Sequence, residues 1–166
     1  MSFNIHETQK QGNNKYKEGY YRLENPKKYI GLEKEIWYRS KYEKDAYELF
    51  DKEPDVVRWC AENEQIKIPY HCSIDNSFHH YYPDAYAEIK TKQSGKILKF
   101  VFEIKPKTKL KPPNKLPNRS TESKKRSHNR QVKEFIRIKD KEAAAVKWCT
   151  SRGYIYKFLT EDFLYK

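Results

Sequence analysis

Apolar and polar positions alternate with a period of two in several short runs of this chain and follow a helical period in two longer ones. In 99–105, Phe100, Phe102 and Ile104 alternate with Lys99, Val101, Glu103 and Lys105, so a strand is predicted that sets Glu103 and Lys105 on one face. In 81–90, Asp84, Tyr86, Glu88 and Lys90 share one face while Ala85, Ala87 and Ile89 share the other. The intervening TKQSGK carries the turn signal Ser94-Gly95, and the two runs are predicted to form an antiparallel hairpin. The runs at 55–62 and 64–72 predict two further strands, and 154–159 a last one before a short C-terminal turn.

Helical spacing predicts a helix over 40–52, with Ser40 as N-cap and Tyr42, Ala46, Leu49 and Phe50 inward. A long helix follows from about 127 to 152, carrying Val132, Phe135, Ile136, Ala143 and Val146, with Gly153 placed to end it. Helix, strands, helix and strand around one mixed sheet make an α/β domain with helices on both faces. Residues 1–36 are polar, Tyr-rich and basic, and are expected to form an irregular arm ahead of one domain over 37–166. Tyr16, Tyr20 and Tyr21 could stack on bases, but packing onto the domain is favoured because tyrosine is amphipathic and buries well.

Charge changes the picture. A net +12 and a pI near 9.4 argue for a polyanionic partner. The strongest basic run, 105–130, has ten Lys and Arg against the single acid Glu122. Its prolines at 106, 112, 113 and 117 forbid a continuous helix or central strand, so an extended, mobile loop is expected over 106–126. Lys107, Lys109, Lys111, Lys115, Lys124, Lys125, Arg126 and Arg130 are the candidate phosphate contacts, with a solvated linker as the alternative. Cys60, Cys72 and Cys149 show no paired spacing, which suits a reducing compartment. His71, Cys72, His79 and His80 cluster but lack C-x-x-C or H-x-x-x-H spacing, so ordinary polar or packing roles are expected of them rather than zinc. No signal peptide or membrane span is expected.

The hairpin register decides the candidate chemistry. With a loop at 91–96, Lys90 faces Ile97 and Asp84 faces Glu103; with a turn at Ser94-Gly95 alone, Asp84 faces Lys105 and Glu103 lies diagonal to it. Either way two carboxylates and a lysine share a face. Carboxylates that close repel unless a cation lies between them, and Mg²⁺ prefers such oxygens. The chain also holds decoys: Asp55 of Pro54-Asp55 reads as a turn residue, and Glu88 of Glu88-Ile89-Lys90 as an ion-pair partner for Lys99. Glu43 is open between two roles. Ser40-x-x-Glu43 is a capping box in which Glu43 returns to the Ser40 N–H, yet a helix before the sheet could also bring this carboxylate to the metal.

YYPD at 81–84 followed by FEIK at 102–105 resembles the motif of the PD-(D/E)xK nuclease superfamily. Over about 25–164 the chain is similar to the head-completion nucleases of T-even-type tailed phages within it, through NPKKYIG, YRSKYE, PDVVRW, IPY, YYPD, FEIKPK and KWCTSRGYIYKFLTEDFL. The resemblance implies a restriction-endonuclease-like α/β/α sandwich and hydrolysis of DNA phosphodiesters with Mg²⁺, for which Mn²⁺ can substitute. It assigns Asp84 and Glu103 as metal ligands with the backbone carbonyl of Ile104, Lys105 as the catalytic lysine, and Glu43 as an additional ligand or support. It implies double-stranded DNA as partner, contacts with portal or neck proteins, and action on packaged DNA in the host cytoplasm before the tail is joined. The alternatives are a non-enzymatic DNA-binding head-to-tail adaptor, and a resolvase or transposon-end nuclease of the same superfamily.

Overall fold

A computed structural model describes residues 18–165. Its centre is a four-stranded mixed sheet of β3 (Val56–Ala61), β6 (Ala85–Lys90), β7 (Ile97–Ile104) and β8 (Ile155–Leu159), in the order β3-β6-β7-β8. The first two pairings are antiparallel and β7 runs parallel to β8. Parallel neighbours need a long crossover, and the helix α2 (Glu122–Thr150) supplies most of it. Gly153 then adopts φ +72°, the left-handed conformation that turns the chain out of α2 toward β8.

The alternating pattern of β6 and β7 sorts their side chains to two cores. Ala85, Ala87, Phe102 and Ile104 meet Ala46, Tyr47 and Phe50 of α1 (Lys41–Lys52). There Phe50 stacks on Phe102 at 5.3 Å and meets Trp59 at 5.7 Å. Tyr86 and Val101 face the opposite way and pack with Ala145 and Cys149 of α2. The sheet therefore lies between α1 and α2, as the sandwich expectation requires. A short helix, α3 (Glu161–Leu164), closes the described chain.

Several expectations need correction. Within 1–36, residues 1–17, Tyr16 among them, lie outside the described residues, but 19–22 and 35–36 form strand rather than irregular arm. β1 (Gly19–Arg22) pairs with β2 (Glu35–Tyr38), and Tyr21 and Ile36 join the α1-side core. The anchor is Asp51, fully buried on α1. It accepts from Tyr21 Oη at 2.9 Å and from the backbone N–H groups of Glu24 and Asn25 at 2.7 and 3.1 Å. A third missed strand, β5 (Ser77–Tyr81), pairs with β4 (Ile68–Cys72) in a separate hairpin on the α2 side.

The basic run also behaves differently from a loop over 106–126. Thr121 caps α2 by accepting from the Lys124 N–H at 3.4 Å, so the helix starts five residues earlier than predicted. The last proline is 117, and nothing after it opposes a helix. Within α2, Ile138, Ala145 and Cys149 are the buried residues, whereas Ala143 and Val146 face solvent. The run EAAAVKWC is apolar on more than one face, so its pattern left the inward side undetermined. Among the described residues no helix is long and apolar enough to cross a membrane.

Candidate active site

The β6–β7 hairpin takes the longer-loop register. Lys90 faces Ile97, Glu88 faces Lys99 and Ala85 faces Phe102, which brings Asp84, one residue before β6, alongside Glu103. The loop is closed by Thr91 N–H to the Lys96 carbonyl at 2.9 Å, and Gly95 has φ +67°. Asp55 occupies a turn, as expected. The expected ion pair between Glu88 and Lys99 does not form. Glu88 accepts from Tyr86 Oη at 3.0 Å, while Lys99 Nζ lies 5.9 Å from the Tyr154 ring centroid.

Asp84, Glu103, Ile104 and Lys105 converge. Asp84 Oδ2 accepts from the Ile104 N–H at 2.7 Å, and Lys105 Nζ lies 3.0 Å from Glu103 Oε1 and 3.6 Å from Asp84 Oδ2. The same ammonium donates to the Ile104 carbonyl oxygen at 3.4 Å. Burial, and then the negative charge of Asp84, push the Glu103 carboxyl up to about 7 against the lowering effect of Lys105. Burial opposes the Lys105 ammonium, yet Asp84, Glu103 and Glu43 outweigh it and raise its pKa. Lys105 is therefore firmly protonated.

Glu43 arrives from α1. Ser40 Oγ accepts from the Glu43 N–H at 3.2 Å, as a cap should, but Glu43 Oε2 returns to the Arg39 N–H at 2.7 Å and not to that of Ser40. Burial, and then the charge of Asp84, raise its pKa, offset by the Arg39 N–H, the Arg39 charge and Lys105. It thus fastens the entry to α1 and contributes its charge to the same site. Arg39 pairs with Glu62 at 2.6 Å, and the two line a cleft with Glu64 and Tyr82. Glu62 has φ +36° and donates its N–H to the Asp84 carbonyl. Sequence periodicity did not single out Arg39 or Glu62, because both lie at element ends.

These donors fit a hard cation. Asp84 and Glu103 offer carboxylate oxygens and Ile104 a carbonyl, while Glu103 Oε2 is buried without a hydrogen-bond partner. An orphaned buried carboxylate oxygen is costly unless a cation or proton meets it. Mg²⁺ favours such oxygens.

The candidate phosphate contacts divide. Lys111, Lys115, Lys124, Arg126 and Arg130 are exposed. Lys109 pairs with Glu134 at 2.7 Å, Lys125 with Glu122 at 2.8 Å, and Lys107 with Asp162. Lys124, Lys125 and Arg126 stand on the first turns of α2 rather than in a loop, with Arg130 further along the same helix. Of the four clustered His and Cys residues, His71 bonds Asn76 Oδ1 at 3.0 Å and His80 is exposed. Cys72 and His79 do converge, with Asp75 as a third member that spacing did not signal.

Residues 53–161 match the TnsA-like endonuclease N terminal family, a span that includes Asp84, Glu103 and Lys105 and leaves out Glu43. The chain is similar to the head completion nuclease of Enterobacteria phage T4, with 35% identity over 138 residues, covering 83% of this chain and 87% of that protein. No solved structure matches the chain.

Proposed function

This chain belongs to the TnsA-like endonuclease N terminal family, and on that premise we propose that it is a divalent-metal-dependent deoxyribonuclease acting in phage head completion. The similarity to the phage T4 head completion nuclease supports the biological setting. Double-stranded DNA is the substrate, packaged DNA in the host cytoplasm before tail joining is the stage, and portal or neck proteins are the neighbours.

The observation that carries the chemistry is the convergence of Asp84, Glu103 and Lys105, with Glu103 Oε2 buried and unpartnered. Asp84, Glu103 and the Ile104 carbonyl, supported by Glu43, would hold Mg²⁺ or Mn²⁺, which supplies charge neutralisation at the phosphate and lowers the pKa of water. Lys105 is kept charged by its three acidic neighbours, so it cannot serve as the general base. It orients the attacking water and stabilises negative charge developing on the phosphoryl oxygens. The Ile104 N–H keeps Asp84 aimed at the site while DNA binds. In-line attack leaves 5′-phosphate and 3′-hydroxyl ends. The exposed Lys111, Lys115, Lys124, Arg126 and Arg130 hold the flanking backbone without reading sequence.

The test is incubation with supercoiled and linear DNA, with Mg²⁺ or with a chelator. Chelator-sensitive nicking is expected on the circular substrate, and loss from the ends of the linear one reports any exonuclease action. Absence of chelator-sensitive cutting would overturn the reading and favour a DNA-binding adaptor.

A further inference from the structure

The β4–β5 hairpin lies outside the central sheet, and a two-stranded hairpin alone is marginal in water. It is fastened to α2 by Asp140, which accepts from Ser73 N–H at 2.7 Å and Ser73 Oγ at 2.9 Å. Just beyond Ser73 the turn folds back. Asn76 adopts φ +53°, which asparagine tolerates, and Asp75 is brought over the strand ends. Asp75 Oδ2 then lies 2.8 Å from His79 Nε2, and Ser77 Oγ lies 2.8 Å from Asp75 Oδ1 and 2.9 Å from His79 Nε2. From beneath, β4 adds the buried thiol of Cys72. The donor atoms of Cys72, Asp75 and His79 all lie within 4.8 Å of one another.

We propose that Cys72, Asp75 and His79 form a second metal site, chemically distinct from the Asp84–Glu103 centre, which takes Zn²⁺ and staples the β4–β5 hairpin. One thiolate, one imidazole nitrogen and one carboxylate oxygen are the donor types zinc prefers, whereas a thiol is a poor donor for Mg²⁺. Tetrahedral zinc, with bonds of about 2.0–2.3 Å, sets its donors about 3.3–3.7 Å apart, so the three side chains need shifts of roughly an ångström. A water completes the fourth position. The three ligands come from a strand, a turn and the partner strand, so the metal ties the two strands together across the turn. The staple bears on the nuclease site through β5. Tyr81, two residues beyond His79, is buried, and its charge interaction with Glu103 is among those that raise the tyrosine's pKa. Lys141 of α2 sits 4.9 Å over the same ring. The proposal does not depend on the catalytic reading, because it concerns donors the nuclease mechanism does not use.

The experiment uses the full chain and an Asp84→Asn/Glu103→Gln double variant, titrated with Zn²⁺ and with Co²⁺ as a spectroscopic probe. One zinc per chain is expected to bind the double variant, raising its melting temperature by about 5 °C. The Co²⁺ complex should show a thiolate charge-transfer band, lost in Cys72→Ala and in His79→Gln and retained in His80→Gln. If Cys72→Ala does not fold, His79→Gln, at a partly exposed position, carries the test. No zinc binding to the double variant, a Co²⁺ spectrum without the thiolate band, or undiminished binding in His79→Gln would each overturn the site. The Asp75–Ser77–His79 hydrogen bonds would then be the whole of its structure.

Discussion

Asp84 Oδ2 accepts the backbone N–H of Ile104 at 2.7 Å, which ties the first acid of the site to the strand carrying Glu103 and Lys105. Orientation and charge can therefore be separated. Asp84→Asn retains an oxygen able to accept that bond, so its melting temperature should stay near the parent's while cleavage falls at least about 10²-fold. Lys105→Ala is expected to lose cleavage to a similar degree with DNA affinity unchanged. Parent-like cleavage rates in either variant would remove these residues from the chemistry.

Glu103 links the site to pH. Its folded-state pKa, about 7, stands above the 4.5 of the free side chain, first through burial and then through Asp84. The folded state then binds the proton more tightly, so stability present below about pH 4.5 is lost as pH rises through 7. Melts in chelator should show a decline on the order of 2 kcal/mol between about pH 5 and 8. Glu103→Gln should flatten the curve and a divalent cation should reduce the decline. A flat curve for the parent in chelator would mean the carboxylate is better solvated than its burial implies.

Ser40 and Glu43 separate capping from chemistry. Ser40→Ala removes the acceptor of the Glu43 N–H and should cost about 1 kcal/mol of stability with cleavage retained. Glu43→Gln keeps an oxygen for the Arg39 N–H and should melt like the parent while cleaving at least about tenfold more slowly. If its cleavage is unchanged, Glu43 is only a structural tie.

The basic cluster at the start of α2 should govern salt dependence. Lys124, Lys125 and Arg126 changed together to Ala are expected to weaken DNA binding across sequences and lower the slope of log K against log salt by about 2. The figure stays below three because Lys125 already pairs with Glu122. Lys109→Ala, with its ammonium on Glu134, should change the slope little. An unchanged slope in the triple variant would place the DNA elsewhere.

Asp51 should be the most sensitive position outside the site. Asp51→Ala leaves the buried Tyr21 hydroxyl and the partly buried Glu24 and Asn25 N–H groups without their acceptor, and about 3 kcal/mol of stability should be lost. Denaturant melts measure it. A loss below about 0.5 kcal/mol would mean the β1–β2 hairpin is held by its apolar contacts alone.

The β6–β7 hairpin and the company kept by Asp84, Glu103 and Lys105 were legible in the sequence. Strand alternation obeys one rigid period and a short loop admits few registers, so side-chain sides follow from local rules alone. Ser40 as cap and Gly153 as terminator were legible for the same reason, since each acts on its own backbone neighbours. What only the tertiary structure decided involves partners far apart in the chain or helix faces with more than one apolar side. Asp51 reaches back to 21–25, α2 buries Ile138, Ala145 and Cys149 rather than Ala143 and Val146, and Asp75 swings over Cys72 and His79 through one left-handed residue. An acid at Asp51, one turn after Tyr47 on the inward stripe of α1, was the one available signal of a buried anchor. Whether Glu43 only closes a helix end or also acts on the site depended on where α1 packs against the sheet; its carboxylate bonds the Arg39 N–H and its charge is felt by Asp84 and Lys105. Local periodicity sets the strands and their faces; long-range packing sets which charges meet.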